Sequence, residues 1–209
     1  GARGGIATLE TALGDPEVIG HPWTDTAADA AWTAPAAPDL LRSIDRFHPI
    51  PDVPSRASSW AEWLYFNGRA TDARFYLTFM VGPRQGTGAS ARRIGGVRLQ
   101  LDRGGTVESF TASALLTDDE VARAPELTIG NNHVRLEPRG ETPGAGAESG
   151  ARYRLSLDVR DPRGRRVTGD LTIDASPERL LPPLEIFGAA GWRTGYVVPV
   201  MAGALGGSL

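Results

Sequence analysis

The sequence predicts an all-β, antiparallel fold, and three of its features indicate this class. From Trp60 onward, apolar and polar residues alternate over several runs, as they do in strands with one buried face. Turn sequences that contain Gly or Asn separate these runs at short intervals. No strand–helix–strand alternation indicates a parallel sheet. About nine strands in up-and-down order favour an antiparallel β-barrel or a strongly bent sandwich.

The segment from Trp60 to Val81 predicts the first hairpin and is the densest aromatic stretch of the chain. Two apolar runs flank a polar break at residues 67–72, a pattern typical of a β-hairpin. In the second run every other side chain is apolar, namely Phe75, Leu77, Phe79 and Val81. These side chains share one face of a strand, which we expect to be core or the wall of a cavity.

Three more hairpins follow the same logic. The runs 94–101 and 106–116 meet at Gly104-Gly105, the runs 127–129 and 133–136 meet at residues 130–132, and the runs 153–159 and 167–173 meet at residues 161–164. Between the second and third hairpins, Thr117 or Asp118 is expected to cap a helical turn. Residues 177–187 are predicted to be irregular. Residues 196–201 are predicted to be a strand with Pro199 at an edge or a bulge.

The chain divides into an irregular N-terminal arm, residues 1–54, and a β domain, residues 55–209. Prolines interrupt any long helical pattern in the arm, but residues 26–32 and 39–46 are expected to form short helices, the second with Asp39 as its N-cap. The arm is expected to pack over the β structure through Trp23, Trp32, Ile44 and Phe47. Gly206-Gly207 is expected to turn toward a partner strand beyond this chain, as in the first part of a longer protein.

Composition excludes several classes of function. The formal net charge of −3 argues against nucleic acid as a partner. The chain has neither lysine nor cysteine, which excludes Schiff-base chemistry, thiolate nucleophiles and disulfides. No apolar run is long enough for a transmembrane segment. Because the sequence begins with Gly1, a soluble protein in the cytoplasm and one exported after removal of a signal peptide both remain open.

Neither a metal site nor a cofactor is expected. The three histidines, His21, His48 and His133, lie far apart and show no metal-ligand spacing. No Gly-x-Ser-x-Gly elbow is present, and the glycine-rich turns do not open a helix, so they do not predict dinucleotide binding.

One motif carries a family resemblance. Glu62-Trp63-Leu64-Tyr65-Phe66-Asn67-Gly68, followed by Phe75-Tyr76-Leu77-Thr78-Phe79, resembles the aromatic hairpin of the hydroxyneurosporene synthase (carotenoid 1,2-hydratase) and AttH-like family. Residues 195–199 and the glycine-rich end resemble the close of that family's first domain. The resemblance implies a lipocalin-like (calycin) barrel, and a second, C-terminal barrel domain as its partner. Leu64 stands where the family has a second Trp, and the His/Asp/Trp-rich motif of the second half is absent.

The resemblance also implies a chemistry. Hydration of a C=C bond without a cofactor needs a general acid in a dry pocket and aromatic rings that stabilise a developing carbocation. Glu62 is the candidate catalytic acid, since burial among rings would raise its pKa. The candidate substrate-binding residues are Trp60, Trp63, Tyr65, Tyr76, Phe79 and Tyr196. The alternatives are a Glu62–Arg74 pair across the hairpin, a backbone hydrogen bond of Glu62, and aromatic rings that simply pack in the core.

Three functions follow for an elongated hydrophobic polyene, isoprenoid or polyketide-like ligand. The first is a hydratase, a lyase of isoprenoid metabolism. The second is a lipocalin-like pericyclase, a cyclase of secondary metabolism that holds a flexible polyene in a reactive shape. The third is a non-catalytic carrier, and a purely structural role is the remaining alternative. A buried acid in the pocket would favour the hydratase, whereas an apolar pocket would favour the other two.

Overall fold

A computed structural model describes residues 38–47, 60–138, 150–176, 181–187 and 193–209, with only the backbone at 181–187 and 193–196. This part of the chain contains two short α-helices, a 3₁₀ turn (Gly88–Ser90) and eleven strands. The helices are α1 (Pro38–Ile44) and α2 (Asp118–Val121). The strands are β1 (Glu62–Arg69), β2 (Arg74–Gln85), β3 (Arg92–Arg103), β4 (Thr106–Leu116), β5 (Leu127–Ile129), β6 (Asn132–Pro138), β7 (Ala151–Arg160), β8 (Arg166–Ala175), β9 (Leu181–Phe187), β10 (Arg193–Val198) and β11 (Gly203–Ser208).

Nine strands form one antiparallel sheet made of two halves, which confirms the all-β class. Strands β1 to β4 form the first half in sequential order, and β5, β6, β7, β8 and β11 form the second half in spatial order. One register pair, Thr111 with Arg160, joins β4 to β7. Strands β9 and β10 form a separate two-stranded sheet. Within the described residues β1 and β11 do not pair with each other, so the main sheet stays open.

The inward faces of both halves share one hydrophobic core. The first half contributes Phe79 and Leu99, and the second half contributes Val134 and Leu155, each at most 1% exposed. Because side chains alternate along a strand, a single apolar face on each half suffices to build this core. The expectation that Phe75, Leu77, Phe79 and Val81 form an apolar face is confirmed, and that face is core.

Turn chemistry fixes the predicted hairpins. Gly104 and Gly105 connect β3 to β4 with φ values of 60° and 86°, a left-handed pair that glycine adopts without strain. Before β5, Thr117 caps α2 in a capping box: its hydroxyl accepts from the Glu120 backbone N–H, and the Glu120 carboxylate accepts from the Thr117 N–H.

Helix α1 belongs to the predicted arm and packs against the sheet. Leu41 is fully buried in the core, Ile44 is buried, and Phe47 packs against the core. The prediction of Asp39 as N-cap is wrong: Pro38 is the first helical residue, a position where its missing N–H costs nothing, and Asp39 lies in the first turn. The helix predicted at residues 26–32, the residues Trp23 and Trp32, and the domain boundary at residue 54 all lie outside the described residues.

The C-terminal part departs from the sequence prediction. Residues 181–187, expected to be irregular, form β9 although Pro182 and Pro183 lie within it. Neither proline has a register partner, because the pairing with β10 shifts between Tyr196 and Val198, and such an irregularity tolerates a missing N–H. Strand β10 ends at Val198, directly before Pro199. The Gly206-Gly207 pair does not make a turn but lies in β11, which pairs with β8.

Neither helix of the described residues is long and apolar enough to cross a membrane.

Two adjacent glycines of β3 give a test of the packing between the halves. A Cβ on Gly95 would lie 2.6 Å from Leu116 Cδ1 and 3.2 Å from Ile129 Cγ1, whereas a Cβ on Gly96 would meet its nearest atom, Met80 Cε, at 3.8 Å. We expect Gly95→Ala to lower the free energy of unfolding by about 1–3 kcal/mol through overpacking. Gly96→Ala is the matched control and should change it by less than about 0.5 kcal/mol. Equal values in urea unfolding would contradict this packing.

Candidate functional site

Three of the predicted substrate-binding aromatics lie on the outer face of the first half of the sheet. Trp63, Tyr65 and Tyr76 are 44%, 43% and 37% exposed. On the same strand, Leu64 faces inward and is buried. Trp63 lies opposite Met80, which is also exposed, so the outer face has an apolar strip of its own. These three rings are near one another but do not face the interior.

Two of the other three aromatic candidates, Phe79 and Tyr196, have different positions. Phe79 is fully buried among core side chains. Tyr196 lies in β10 opposite Leu184, and its side chain is outside the described part. The predicted rings whose side chains are described therefore do not line one cavity wall. Their role in substrate binding stays a prediction.

Trp60 lies just before β1 and Glu62 is the first residue of β1, at the end of the first half opposite to the hairpin turn. Glu62 is half-buried and pairs in register with Val81. The same register places Arg74 opposite Arg69, at the far end of the hairpin, so a Glu62–Arg74 pair is excluded. The catalytic role of Glu62 stays a prediction.

A cation packs against Trp60. The guanidinium carbon of Arg93 lies 5.0 Å from the centre of the Trp60 ring, a cation–π contact. Arg93 is only 8% exposed, and its Nε donates to Asp118 Oδ1 at 2.7 Å. Its Nη1 is buried and has no hydrogen-bond acceptor among the described residues. The electron-rich face of the indole ring partly compensates for that missing acceptor, and Asp118 also pairs with Arg84 at 3.2 Å.

The interior contains an acid that the sequence analysis did not identify. Tyr153 of β7 donates a short hydrogen bond from its hydroxyl to Asp45 Oδ2, just after α1. Asp45 as a whole residue keeps some exposure, but protein atoms enclose its carboxyl group. The Tyr153 ring makes an edge contact with Phe66, with ring centres 5.4 Å apart. A carboxyl group and a phenol therefore meet beside an aromatic ring inside the fold.

Burial controls the ionisation of this pair. It raises the pKa of Asp45 to about 6 from an ordinary value of 3.8, and the hydrogen bond from Tyr153 opposes the rise. Burial, followed by the nearby Asp45 carboxylate, raises the pKa of Tyr153 well above 10. The charge of Arg42 acts in the opposite direction and lowers the pKa of Tyr153. Arg42 also holds α1 in place, because its Nη2 donates to the Leu136 carbonyl at 2.8 Å and to Glu126 Oε1 at 2.9 Å.

One signal in the sequence could have indicated Asp45. Leu41, Ile44 and Asp45 are spaced i, i+3, i+4, so in a helical pattern the acid falls on the apolar stripe. Its partner could not be predicted in this way, because Tyr153 is 108 residues further along the chain.

The described residues also form a groove of about 520 Å³ at the open seam between β1 and β11. We call it the seam groove. Its apolar members are Phe75, Leu101, Leu171, Leu205 and Leu209. Phe75, Leu101 and Leu171 are buried and form the floor, while the β1–β2 turn and the end of β11 form the two sides.

The rim of the seam groove is polar. Arg69 and Asp72 lie on the side of the β1–β2 turn, Arg103 at the end of β3, and Ser208 on β11.

The chain matches no known protein family, no curated protein and no solved structure. Two features of the described residues bear on function, namely the seam groove and the Asp45–Tyr153 pair.

The Asp45 carboxyl predicts an unusual pH dependence of stability. Because its pKa is higher in the folded chain, the fold binds more protons than the unfolded chain between pH 3.8 and about 6. This group therefore makes the fold less stable as the pH rises through that window, by up to about 3 kcal/mol. Asp45→Asn can still accept from Tyr153 but carries no charge. We expect it to be more stable than the native protein at pH 7.5 and equally stable near pH 4.

Urea unfolding at a series of pH values measures this difference. Asp39→Asn is the control, since it removes the same charge from an exposed position in the first turn of α1. Its stability relative to the native protein should not change over this window. If the Asp45→Asn difference were equally independent of pH, the carboxyl would not be ionising in a buried position.

Proposed function

We propose that this chain binds an elongated, largely apolar small molecule in the seam groove. The observation that carries the proposal is the apolar floor that Phe75, Leu101 and Leu171 form beneath the groove, at the seam where the two edge strands do not pair within the described residues. The volume of about 520 Å³ lies within the range of small-molecule sites. A carrier or a cyclase needs no more from the protein than a shaped apolar site of this kind.

The proposal includes a relation to lipocalin-like barrels. The antiparallel order of β1 to β4 and the single core inside both halves support it. In a closed barrel of this type, the two edge strands meet and the ligand enters at one end. In this chain the ligand would lie in the gap between β1 and β11. A second, C-terminal barrel domain stays a prediction that rests on the resemblance of the aromatic hairpin.

A hydratase is the second candidate function, and the Asp45–Tyr153 pair favours it. An acid with a pKa of about 6 can hold a proton near neutral pH and donate it to a C=C bond. Phe66 supplies an adjacent ring that could stabilise a carbocation. Tyr153 pairs with Ile173, and Ile173 pairs with Leu205 of the groove. Two strand spacings, about 10 Å, separate the backbone of Tyr153 from that of Leu205.

Water addition to an acyclic polyene tests the hydratase directly. The Asp45→Asn protein, which should fold at least as well as the native protein, should lose the activity by at least about a hundredfold. The measurement is the formation of the tertiary alcohol, followed by mass spectrometry in water and in ¹⁸O-labelled water. Asp39→Asn should keep full activity. If the native protein forms no alcohol from a polyene that it binds, the hydratase is excluded and simple binding remains.

Blocking the seam groove tests the binding proposal. Ala70 lies in the β1–β2 turn on the side of the groove and is exposed, so Ala70→Trp should fill the groove without disturbing the core. We expect it to weaken the binding of retinol, a neutral polyene, by about tenfold or more, equivalent to about 1.4 kcal/mol. Retinol fluorescence, excited directly, measures the affinity.

Ala89→Trp is the matched control, since it adds the same ring at an exposed position outside the groove. Its affinity for retinol should equal that of the native protein. If the native protein binds no retinol, or if both variants bind equally well, the seam groove is not the binding site.

A further inference from the structure

The rim of the seam groove carries more positive than negative charge. Arg69 and Arg103 line it together with one carboxylate, that of Asp72. The Arg103 Nη1 donates to Glu108 Oε2 at 3.3 Å, and Glu108 also pairs with Arg165. Within the described residues, no carboxylate pairs with the Arg69 side chain. Arg69 therefore brings a guanidinium group without an ion-pair partner among the described residues to the edge of an apolar groove.

The second half of the sheet shows a different arrangement. On its outer face four arginines are each paired with a carboxylate, namely Arg135, Arg152, Arg154 and Arg166. The pair between Arg152 and Asp174 is bidentate, with distances of 2.6 and 2.9 Å. In three of these pairs the neighbouring strand supplies the carboxylate, whereas the partner of Arg135, Glu137, lies on the same strand. At the seam groove, no carboxylate of the described residues forms an ion pair with Arg69.

We propose that the ligand of the seam groove is an amphiphile that ends in a carboxylate, with the carboxylate on Arg69 and Arg103 and the apolar chain on the floor. This inference rests on the proposed function of the groove. The planar guanidinium donates two parallel hydrogen bonds to a carboxylate, which gives orientation as well as affinity. Because Arg69 is exposed, the ion pair forms at the solvent boundary and avoids the desolvation cost of a buried pair.

The position of the rim orients the ligand. Arg69 and Asp72 lie at the β1–β2 turn, while Leu205 lies in the row of paired residues that continues through Ile173 to Tyr153. A carboxylate on Arg69 leaves the apolar chain to run across the floor toward Leu205. Asp72 lies on the same rim, and its carboxylate repels a ligand carboxylate that comes close to it. This repulsion restricts the positions that the ligand headgroup can take.

A pair of probes that differ only in the headgroup tests the inference on the full chain. Cis-parinaric acid is a fluorescent polyene carboxylate, and its methyl ester has the same chain without the charge. We expect the native protein to bind the acid about tenfold more tightly than the ester, as for a hydrogen bond to a charged group. Arg69→Gln should lower the affinity for the acid to that for the ester and leave the ester unchanged.

Arg98→Gln is the control, since Arg98 is exposed on the outer face and does not line the groove. It should bind both probes as the native protein does. Equal affinity of the native protein for acid and ester would overturn the carboxylate inference and leave the proposed apolar site standing. Binding of neither probe would overturn both. A loss of affinity for acid and ester alike in Arg69→Gln would assign Arg69 to the shape of the groove and overturn its role in headgroup recognition.

Discussion

The burial of two inward faces against each other holds this fold together. The two halves of the main sheet share a single backbone register pair, Thr111 with Arg160. Hydrogen bonding across that junction is too limited to fix their relative position, so the apolar contact between Phe79, Leu99 and their counterparts on β6 and β7 must do so. Close packing of this kind leaves little room for added atoms, as the surroundings of Gly95 show.

This constraint determines where a ligand can bind. Within the described residues core side chains pack the inward faces of both halves, and a groove lies at the seam, where β1 and β11 stay unpaired. Helix α1 covers another part of the core and brings Asp45 inside with it. A polar group on the apolar stripe of a helix reduces stability unless it is hydrogen-bonded, and Tyr153 supplies that bond. The acid is thus kept at a cost in stability, which is typical of functional groups.

The outer faces of the two halves of the sheet differ in the charged residues that they carry. On β6 to β8, carboxylates pair with four arginines, namely Arg135, Arg152, Arg154 and Arg166, and the Arg166–Asp158 pair lowers the pKa of Asp158 to about 2. The outer face of β1 and β2 instead exposes Trp63, Tyr65 and Tyr76. The aromatic residues of the first hairpin thus belong to two surfaces, since Phe66, Phe75 and Phe79 face the interior and Trp63, Tyr65 and Tyr76 face solvent.

The sequence by itself determined the strands, the hairpins and their turns, because alternation and glycine positions are local properties of the chain. It did not determine which face of β1 is buried, since Leu64 and Phe66 compete with Trp63 and Tyr65 and both faces are apolar. The packing of the two halves against each other determined which face of β1 is buried. It also brought Asp45 into contact with Tyr153 and formed the groove between β1 and β11. These features join residues far apart in sequence, and a local pattern carries no information about such distances.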